Sequence, residues 1–497
     1  MKKSNLQWLV LITVIVGTFL GRLDQTIVNL ALPKMISDFG VTISTGAWIA
    51  TAYIIANAVF VPIWGKLGDS IGRKKVYIMG FVIFIISSVF AGLAWNFSSM
   101  IVFRVIQAIA SSADYPTAMA ILAVTFTDTK QRAQALGIWS SAFAASAVLG
   151  PLIGGPLIDL FNWRAIFLLN LPVGLIGLAM ALAFVTESVS EKKSYRFDWW
   201  GAATLGIGLA SLVLLLDKGN GWGWLSVNSL ISYFVILLFG GLFYIIERGH
   251  DDAIVDFKFF KNATFTTALT NNFIVFMGMM GSVFLIPIFA QTFLGMTATE
   301  AGYLFIPMAA GMMLGAPLGG RLIGKVKPQY IIAVSTFGAA VGIFLFSILL
   351  DPRSSPWDIM FPLTIMAFSL GFGMAQRTSL ITNSVPTNEV GVASSILALA
   401  RNIAGAVGIA LSGTLITTLS NNKVAEIAQN STIHVTNIAD MGRAIGLIEL
   451  KAQVSAYASV FEISALIVLI GAIAALWIKV TRNVHTEETH EPVIVLD

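Results

Sequence analysis

The chain has 497 residues, of which 57% are hydrophobic and only 11% are charged, and its formal net charge is +4. Soluble globular proteins carry about 25% charged residues, so this composition excludes a soluble enzyme and indicates a polytopic membrane protein. Cysteine is absent, which excludes disulfides, thiol catalysis and thiolate metal sites. The four histidines are scattered, so we expect no metal site and no cofactor. The basic residues lie in short segments beside apolar runs, which favours a role in membrane topology over nucleic-acid binding.

Apolar runs long enough to cross a bilayer as a helix recur throughout the chain. We predict fourteen spans, at residues 7–27, 46–65, 76–95, 98–122, 135–157, 164–185, 200–217, 228–246, 267–292, 301–320, 329–350, 357–383, 393–420 and 455–479. Nineteen of the 30 lysines and arginines fall on the side of the N-terminus, seven fall on the other side and four lie within spans. The positive-inside rule therefore places both termini in the cytoplasm, and we expect a bacterial cytoplasmic membrane as the location.

A weak internal repeat divides the chain into two halves, because Gly320–Lys327 resembles Gly65–Gly72 at the corresponding place in its half. Spans 7 and 8 are then an insertion. We predict an N-terminal six-helix half at 1–190, two inserted helices with linkers at 191–262, a C-terminal six-helix half at 263–480 with a long outer loop at 421–452, and a cytoplasmic tail at 481–497. Transporters built from such repeats place substrate sites between the repeats, near the bilayer midplane.

The segment Gly65–Lys75 joins spans 2 and 3 and combines three glycines, one acid and a cluster of basic residues. We interpret it as a short cytoplasmic turn in which Gly65 and Gly72 allow close helix approach. Asp69 is an acid among basic residues that include Arg73, so we expect it to have a fixed partner.

Charged residues inside predicted spans are informative, because each costs about 2.5–3.5 kcal/mol on insertion scales. Asp24 in span 1 follows Gly17 and Gly21 at helical spacing, on a face that can line a cavity. A carboxylate in a low-dielectric cavity can exchange protons near neutral pH, and it can also neutralise a cationic substrate. An ion pair or a helix-end residue near the outer surface is the simpler alternative.

Span 4 carries a polar stripe, because Arg104, Gln107 and Ser111 follow the spacing of one helix face. Asp114 comes ten residues after Arg104 and borders that stripe without facing Arg104 directly. We prefer a role for Asp114 in binding protons or cations, and a buried structural pair is the alternative.

Two arginines lie in spans of the C-terminal half. Arg377 in span 12 follows two glycines, and it can be a counter-ion or a substrate contact. Arg401 in span 13 lies near Gly405 and Gly408, where helices can approach closely, so we interpret it as structural.

Span 5 contains an unusual run of glycine and proline that predicts a pliant helix suited to a moving gate. The residues concerned are Gly150, Pro151, Gly154, Gly155 and Pro156.

These motifs resemble those of the major facilitator superfamily, in particular its fourteen-span drug:proton antiporter branch, which contains the quaternary-ammonium exporters. The resemblance is carried by Leu23–Pro33, Gly65–Lys75, Gly150–Pro156 and Asn162–Gly174. It implies an all-α membrane fold of two rocking six-helix halves with two inserted helices, fourteen in all. It also implies a cytoplasmic charge network at Asp69 and Arg73 that latches the outward-facing state.

Span 4 matches the family less well than the other motifs. Arg104 and Gln107 stand at the places of the family's proton-linked arginine motif. Ala108 and Ala110 replace its usual glycines, and Asp114 lies in a region that is usually apolar in the family.

The sequence therefore predicts a secondary active transporter, not an enzyme, that exports lipophilic, cationic drugs by alternating access. We expect the proton gradient to drive it without a cofactor. Asp24 is the predicted main protonation site, Arg104 favours its charged form in one conformation, and Asp114 is a second carboxylate for protons or cargo. Its partners are a small lipophilic substrate, protons and membrane lipids, with no nucleic acid, and nothing in the sequence requires more than a monomer.

Several further residues are candidate substrate contacts. Trp48, Tyr53, Asn57 and Phe143 are predicted to line a cavity for a flat lipophilic cation through cation–π contact, although simple packing is the alternative. The complete predicted set adds Asp24, Asp114, Asn29 and Arg377.

Two other functions are compatible with the sequence. A translocase for a lipid or an anionic lipid-linked metabolite would use embedded arginines, especially Arg377, to hold the head group. A receptor or scaffold without transport activity would move no protons with any substrate, and the two acids with one arginine argue against it.

Overall fold

The computed structural model describes residues 3–126, 129–188, 198–249, 253–322, 325–385, 390–429 and 438–478. Within these ranges the regular secondary structure is helical, with eighteen α-helices and one short 3-10 helix at Phe257–Lys261. This confirms the predicted all-α membrane fold. The cytoplasmic tail predicted at 481–497 lies outside the described residues.

The N-terminal half contains nine α-helices, several of which are pieces of one span. They are α1 Lys3–Phe39, α2 Ile43–Gly46, α3 Trp48–Ile71, α4 Arg73–Gly92, α5 Phe97–Ser111, α6 Asp114–Thr125, α7 Thr129–Leu160, α8 Arg164–Leu168 and α9 Asn170–Phe184. Local signals in the sequence set some of these boundaries. The Asn96 side chain accepts a hydrogen bond from the backbone N–H of Ser99, and the Ser99 hydroxyl accepts one from the backbone N–H of Asn96, which fixes the start of α5.

Nine further α-helices are described after α9, and the first two of them are the predicted inserted pair. The helices are α10 Trp199–Trp222, α11 Val227–Arg248, α12 Ala263–Phe293, α13 Ala298–Tyr303, α14 Ile306–Gly320, α15 Pro328–Leu349, α16 Pro356–Thr382, α17 Val390–Gln429 and α18 Ile438–Ala475. Thr297 and Glu300 form a reciprocal capping pair that starts α13.

Twelve helices among the described residues are long and apolar enough to cross a membrane. Predicted spans 4 and 5 are not among these twelve. Span 4 is divided at Ser112 and Ala113 into α5 and α6, so Asp114 begins a new helix instead of continuing the stripe of Arg104. Span 5 is the single helix α7. The count of fourteen therefore stays a prediction.

The two halves repeat one packing scheme. In the N-terminal half α1 packs on α7, and α4 packs on α5 and α9. In the C-terminal half α12 packs on α17, and α15 packs on α16 and α18. These contacts make α1 equivalent to α12, α4 to α15 and α5 to α16. The halves meet where α1 contacts α12, α3 contacts α17 and α7 contacts α13.

The inserted helices differ from each other in their surroundings. In the most apolar stretch of α11 only 17% of the residues are buried, compared with 67% in α12. The helix α11 is therefore peripheral, as we predict for spans 7 and 8. By contrast, α10 contacts both halves, because the Trp48 indole of α3 donates to Asp217 at 3.0 Å and the Thr414 hydroxyl of α17 donates to the Leu216 carbonyl at 2.7 Å.

Two predicted connections are in fact helical. The segment Gly65–Lys75 is not a turn, since α3 continues to Ile71 and α4 starts at Arg73. Only Gly72 separates the two helices, with a φ of +116° that favours glycine. The predicted outer loop at 421–452, whose apolar residues are sufficient for short helices, contains the end of α17 up to Gln429 and the start of α18 from Ile438.

Candidate functional site

The polar centre of the N-terminal half is a buried ion pair between α1 and α5. The Arg104 guanidinium lies 2.5 Å from the Asp24 carboxylate, and both side chains are 1% exposed. Gln107 and Asn170 also donate to the same carboxylate, at 3.0 and 2.9 Å. Asp24 therefore accepts hydrogen bonds from three side chains, which compensates much of the cost of burying its charge.

The surroundings of Arg104 hold the guanidinium in one place. It stacks on the Tyr53 ring at 4.1 Å from the centroid and donates to the Ile49 carbonyl at 3.3 Å. Gln107 lies one turn after Arg104 on α5 and is linked to Ser88 of α4 at 2.7 Å. The predicted stripe of Arg104 and Gln107 is thus brought together with Asp24, while Asn170 and Ser88 join from helices that the sequence did not single out.

Asp114 occupies a separate site at the start of α6. One of its oxygens accepts a hydrogen bond from the Thr18 hydroxyl of α1 at 2.7 Å, and the Trp139 indole of α7 donates to that hydroxyl at 2.8 Å. The other oxygen, Oδ1, is buried and has no hydrogen-bond partner among the described residues. The same range of residues provides no lysine or arginine nitrogen within ion-pair distance of Asp114.

A small cavity lies beside Asp114. Its volume of about 30 Å³ gives space for a water molecule and not for a drug. Its lining includes Gly17, Gly21, Tyr77, Ser111 and Asp114. A side chain at Gly17 would enter this space, since a Cβ there would lie 3.0 Å from Asp114 Oδ1 and would collide with the Tyr77 hydroxyl.

Ser111 links the two acid sites. The Tyr53 hydroxyl and the Asn57 amide donate to its hydroxyl at 2.6 and 3.1 Å. Tyr53 touches Arg104 and Ser111 borders the Asp114 cavity, so these residues lie between the ion pair and the second acid.

The other predicted contacts are scattered. The Trp48 indole bonds to Asp217 of α10, whereas Tyr53 bonds to Ser111, so their shared aromatic cavity stays a prediction. Asn29 is half-buried on α1. The side chain of Phe143 is outside the described part of the chain.

Arg377 is the centre of a second cluster, in the C-terminal half. It is 2% exposed and donates to Asn271 of α12 at 2.9 Å. It also donates to Ser335 and Thr336 of α15 at 3.1 and 2.6 Å. Arg401 lies nearby on α17 and donates to Asn272 at 3.4 Å and Thr378 at 3.2 Å.

The two halves are joined at Asp159, at the end of α7 that the sequence predicts to be outside; the sequence did not single out this residue. Its carboxylate accepts hydrogen bonds from the Thr299 N–H and hydroxyl at 2.8 and 2.6 Å and from the Ala298 N–H at 3.1 Å. It also pairs with Lys34 at 3.1 Å. Partial burial alone would raise the pKa of Asp159, but the hydrogen bonds from Thr299, Lys34 and Ala298 outweigh it and hold the pKa at about 2.

The predicted gate in span 5 belongs to this junction. A Cβ at Gly155 would come within 2.5 Å of the Thr299 Cα, so glycine permits α7 to touch α13. Gly150 and Gly154 lie as closely against Thr26 and Ile27 of α1. Backbone hydrogen bonding continues as one helix past Pro151 and Pro156.

The segment Gly65–Lys75, which the sequence predicts to be cytoplasmic, is contacted by Glu187, a residue that the sequence did not single out. The Glu187 carboxylate, just after α9, accepts hydrogen bonds from the backbone N–H groups of Lys74 and Lys75 at 3.0 and 3.3 Å. It therefore caps the start of α4 and lies against Gly72. The side chain of Asp69 lies outside the described residues, so its predicted network with Arg73 stays a prediction.

The structure thus consists of two repeated helical halves that carry buried polar clusters and are joined at one end by the Asp159 contact. The chain matches the Major Facilitator Superfamily over residues 14–409 and belongs to that family. It is therefore a secondary transporter and not an enzyme, which confirms the family and class predicted from its motifs.

Curated relatives and solved structures agree with this family. The chain is 32% identical to the multidrug transporter protein MdtP of Bacillus subtilis, over 85% of this chain and 78% of the relative. It is 28% identical to the multidrug export protein EmrB of Escherichia coli, over 83% of this chain and 81% of the relative. The fold is similar to that of a bacterial homolog of the human lysosomal transporter Spinster in an inward-facing conformation, with a TM-score of 0.65, 18% identity and coverage of 96% and 99%. A peptide transporter of the POT type gives a TM-score of 0.66 at 14% identity, with coverage of 96% and 97%.

Proposed function

We propose that the protein exports lipophilic compounds in exchange for protons, by exposing one central site alternately to each side of the membrane. The relatives support the class of cargo, since MdtP and EmrB are both named for multidrug transport or export. The observation that carries proton coupling is the contrast between a buried acid, Asp24, and a partly buried acid, Asp114, in one half. Asp24 is fully bonded to Arg104, Gln107 and Asn170, whereas Asp114 has one oxygen without a partner.

We infer from this contrast that the two acids have different roles in the described conformation. Asp24 forms a buried ion pair with Arg104. A charge on Asp114 would remain buried with one hydrogen bond, which is costly, and a proton on its free oxygen removes that cost. We therefore give Asp114, and not only Asp24, a primary part in carrying the proton.

Helix α1 provides the connection between the two acids. Thr18, which bonds to Asp114, precedes Asp24 by six residues, or about 9 Å along the helix. A movement of α1 that breaks the contact with Arg104 would therefore change the environment of both acids together. Protons that enter from outside would weaken the hold on a positively charged cargo, and their release inside would restore it. The membrane potential contributes about 2.3 kcal/mol per charge per 100 mV to this exchange.

The test uses the full-length protein in proteoliposomes with an acid interior and a trapped pH dye. Tetraphenylphosphonium and ethidium serve as lipophilic cations, and cation-dependent proton release is recorded. We expect release by the natural protein and at least a tenfold lower rate in Asp114→Asn. Asp24→Asn should also lose release, and size-exclusion chromatography shows whether each variant is folded.

Glu462→Gln is the matched control, because Glu462 lies in a membrane helix, α18, but is exposed and outside both clusters. This variant should release protons at the natural rate. Natural rates in folded Asp24→Asn and Asp114→Asn proteins would contradict coupling through these acids. Absence of proton movement with any cation would contradict the cationic cargo.

A further inference from the structure

The arginine cluster of the C-terminal half repeats the cluster of the N-terminal half. In the N-terminal half, Arg104 of α5 bonds to Asp24 of α1, and its neighbour Gln107 bonds to Ser88 of α4. In the C-terminal half, Arg377 of the equivalent helix α16 bonds to Asn271 of α12 and to Thr336 of α15. The arginine, its neighbouring helices and the supporting hydroxyl groups are thus alike in the two halves.

The two clusters differ in their charge. The position that Asp24 occupies beside Arg104 is taken by Asn271 beside Arg377. The orientation of the Asn271 amide is fixed, because its nitrogen donates to the Gly471 carbonyl at 2.9 Å and leaves the oxygen for Arg377. An amide oxygen satisfies a hydrogen bond but carries no negative charge, so the guanidinium of Arg377 is buried without a counter-ion among the described residues.

A second positive charge reinforces this imbalance. Arg401 is partly exposed, stacks on Phe276 at 5.0 Å from the ring centroid, and bonds to the neutral side chains of Asn272 and Thr378. It lies near enough to Arg377 for the two charges to repel each other. Within the described part of the chain, no carboxylate pairs with either arginine.

The cluster also contains an unused hydrogen-bond donor. Asn272 is fully buried, and its oxygen receives the bond from Arg401, so its nitrogen is the free end of the amide. That nitrogen, Nδ2, has no acceptor among the described residues. A buried amide nitrogen beside two uncompensated guanidinium groups is a set of donors that lacks an acceptor, and an anion provides one.

We propose that Arg401, Arg377 and the Asn272 amide form a binding site for the carboxylate or sulfonate group of an amphipathic organic anion. Arg401 is the accessible arginine and makes the first contact, while Arg377 supplies charge from behind it. Phe276 places an aromatic face beside the site, which suits cargo with an aromatic ring next to its acid group. This inference rests on the proposed function only for the direction of transport, and it adds a class of cargo to it.

An acidic lipid head group offers the same chemistry as a free organic anion, so the experiment separates the two sources. Full-length protein in detergent is immobilised, and equilibrium binding of radiolabelled 2-naphthoate is measured. Unlabelled 2-naphthylmethylammonium, chloride and dihexanoyl phosphatidylglycerol are used as competitors. We expect saturable 2-naphthoate binding that the ammonium compound and chloride do not displace. If phosphatidylglycerol competes more strongly than unlabelled naphthoate, the lipid is the preferred ligand. That result would overturn the proposal that the site binds a free organic anion.

Two variants test the residues. Arg401→Gln removes one charge and keeps hydrogen-bonding capacity, and we expect at least a tenfold weaker affinity for 2-naphthoate. Asn271→Asp supplies an internal carboxylate to Arg377, as Asp24 does for Arg104, and should weaken the affinity at least as much. Glu462→Gln is the control, because Glu462 is exposed on α18 and lies outside both clusters, and its affinity for 2-naphthoate should be unchanged.

The outcomes are distinguishable from those of the proton assay. Saturable binding that persists unchanged in Arg401→Gln and Asn271→Asp would overturn the site, as would displacement of naphthoate by chloride alone. Natural protein that releases protons with cations but does not bind 2-naphthoate would overturn this inference and leave the proposed function standing. Binding that depends on Arg401, without proton movement in any condition, would support the site and contradict proton coupling.

Discussion

At the scale of single residues, the molecule places two carboxylates in one half and gives them different environments. Asp24 has an arginine and two amide donors, whereas Asp114 has only one hydroxyl donor. Removing one member of a buried ion pair leaves the other charge uncompensated, which typically costs about 3–5 kcal/mol. Neutralising an acid that has no ion-pair partner carries no such penalty. The two acids should therefore contribute very differently to stability.

We expect Asp24→Asn to lower the melting temperature of the detergent-solubilised protein much more than Asp114→Asn. Loss of the Asp24 charge leaves Arg104 buried and unpaired, at a cost of roughly 3 kcal/mol or more. Asp114→Asn should change stability by less than about 1 kcal/mol, because the amide oxygen can still accept from Thr18. Differential scanning fluorimetry compares the two variants in one buffer. A larger loss in Asp114→Asn would mean that Asp114 has an ionic partner in solution.

The residues that the sequence revealed are those whose charge is unusual inside an apolar span. Asp24, Arg104, Asp114 and Arg377 were all predicted for that reason. The structure buries Asp24, Arg104 and Arg377 in polar clusters and places the partly buried Asp114 beside a small cavity. Asn271 was missed, because a neutral amide in a span carries no comparable signal, and Asn170 was part of the motif Asn162–Gly174 but was given no role. Contact between Asp24 and Arg104 depends on helix packing, which spacing along one helix does not determine.

At the scale of helices, the contact between α7 and α13 closes one end of the molecule, which the sequence predicts to be the outer end. Asp159 at the end of α7 accepts two backbone N–H groups and one hydroxyl from the start of α13. Close to it, Gln291 of α12 donates to the Leu30 carbonyl of α1 at 2.9 Å. These bonds join the two halves, so they must break when the outer side opens. The sequence suggested a pliant span 5, but it did not reveal the partner of that span, which comes from the other half of the chain.

We expect Asp159→Asn to shift the protein towards an open outer side. Hydrogen bonds to a charged acceptor contribute about 1.5–3 kcal/mol, and asparagine retains part of them, so we estimate a loss of roughly 1–2 kcal/mol. That loss is a change of ~5–30-fold in the equilibrium between closed and open forms. The chain has no cysteine, so Leu160→Cys on α7 and Tyr303→Cys on α13 allow specific spin labels across the contact. Double electron–electron resonance measures the distance between the two spin labels. In Asp159→Asn, the population with the longer distance should increase.

Asp38→Asn is the control for this experiment, because Asp38 bonds to Trp163 and Arg164 within its own half. Its distance distribution should match that of the unaltered labelled protein. The pH dependence gives a second check. The contacts in the closed form lower the pKa of Asp159 to about 2. The carboxylate therefore stabilises the closed form fully at any pH above the ordinary pKa of aspartate, and this stabilisation is lost only as the pH falls towards 2. Distances between pH 5 and 8 should therefore be constant, and a shift to the open form near pH 6 would contradict control by Asp159.

At the scale of the whole molecule, the two halves share one architecture and differ in charge. The N-terminal cluster is balanced by Asp24, and the C-terminal cluster keeps two arginines with neutral partners. The twofold scheme and the inserted pair were predictable from hydropathy and from the weak repeat of Gly65–Gly72 at Gly320–Lys327. The extension of α17 to Gln429 was not predictable in this way, because the polar end of a helix has no apolar run to mark it.

The direction of transport depends on which face of the membrane the Asp159 contact closes. The distribution of 19 basic residues against seven predicts that α7 ends outside and that the 3-10 helix Phe257–Lys261 lies in the cytoplasm. Leu160→Cys and Leu225→Cys are suitable outer reporters, since these side chains are 77% and 86% exposed, and Lys258→Cys is the inner reporter. We expect a membrane-impermeant maleimide to label both outer cysteines in intact cells, and to label Lys258→Cys only after the cells are permeabilised. This result would make the described conformation closed to the outside, which is the state from which an exporter collects its cargo. Labelling of Lys258→Cys in intact cells would reverse the orientation, so the same closed contact would face the cytoplasm and the proposed direction of export would fail.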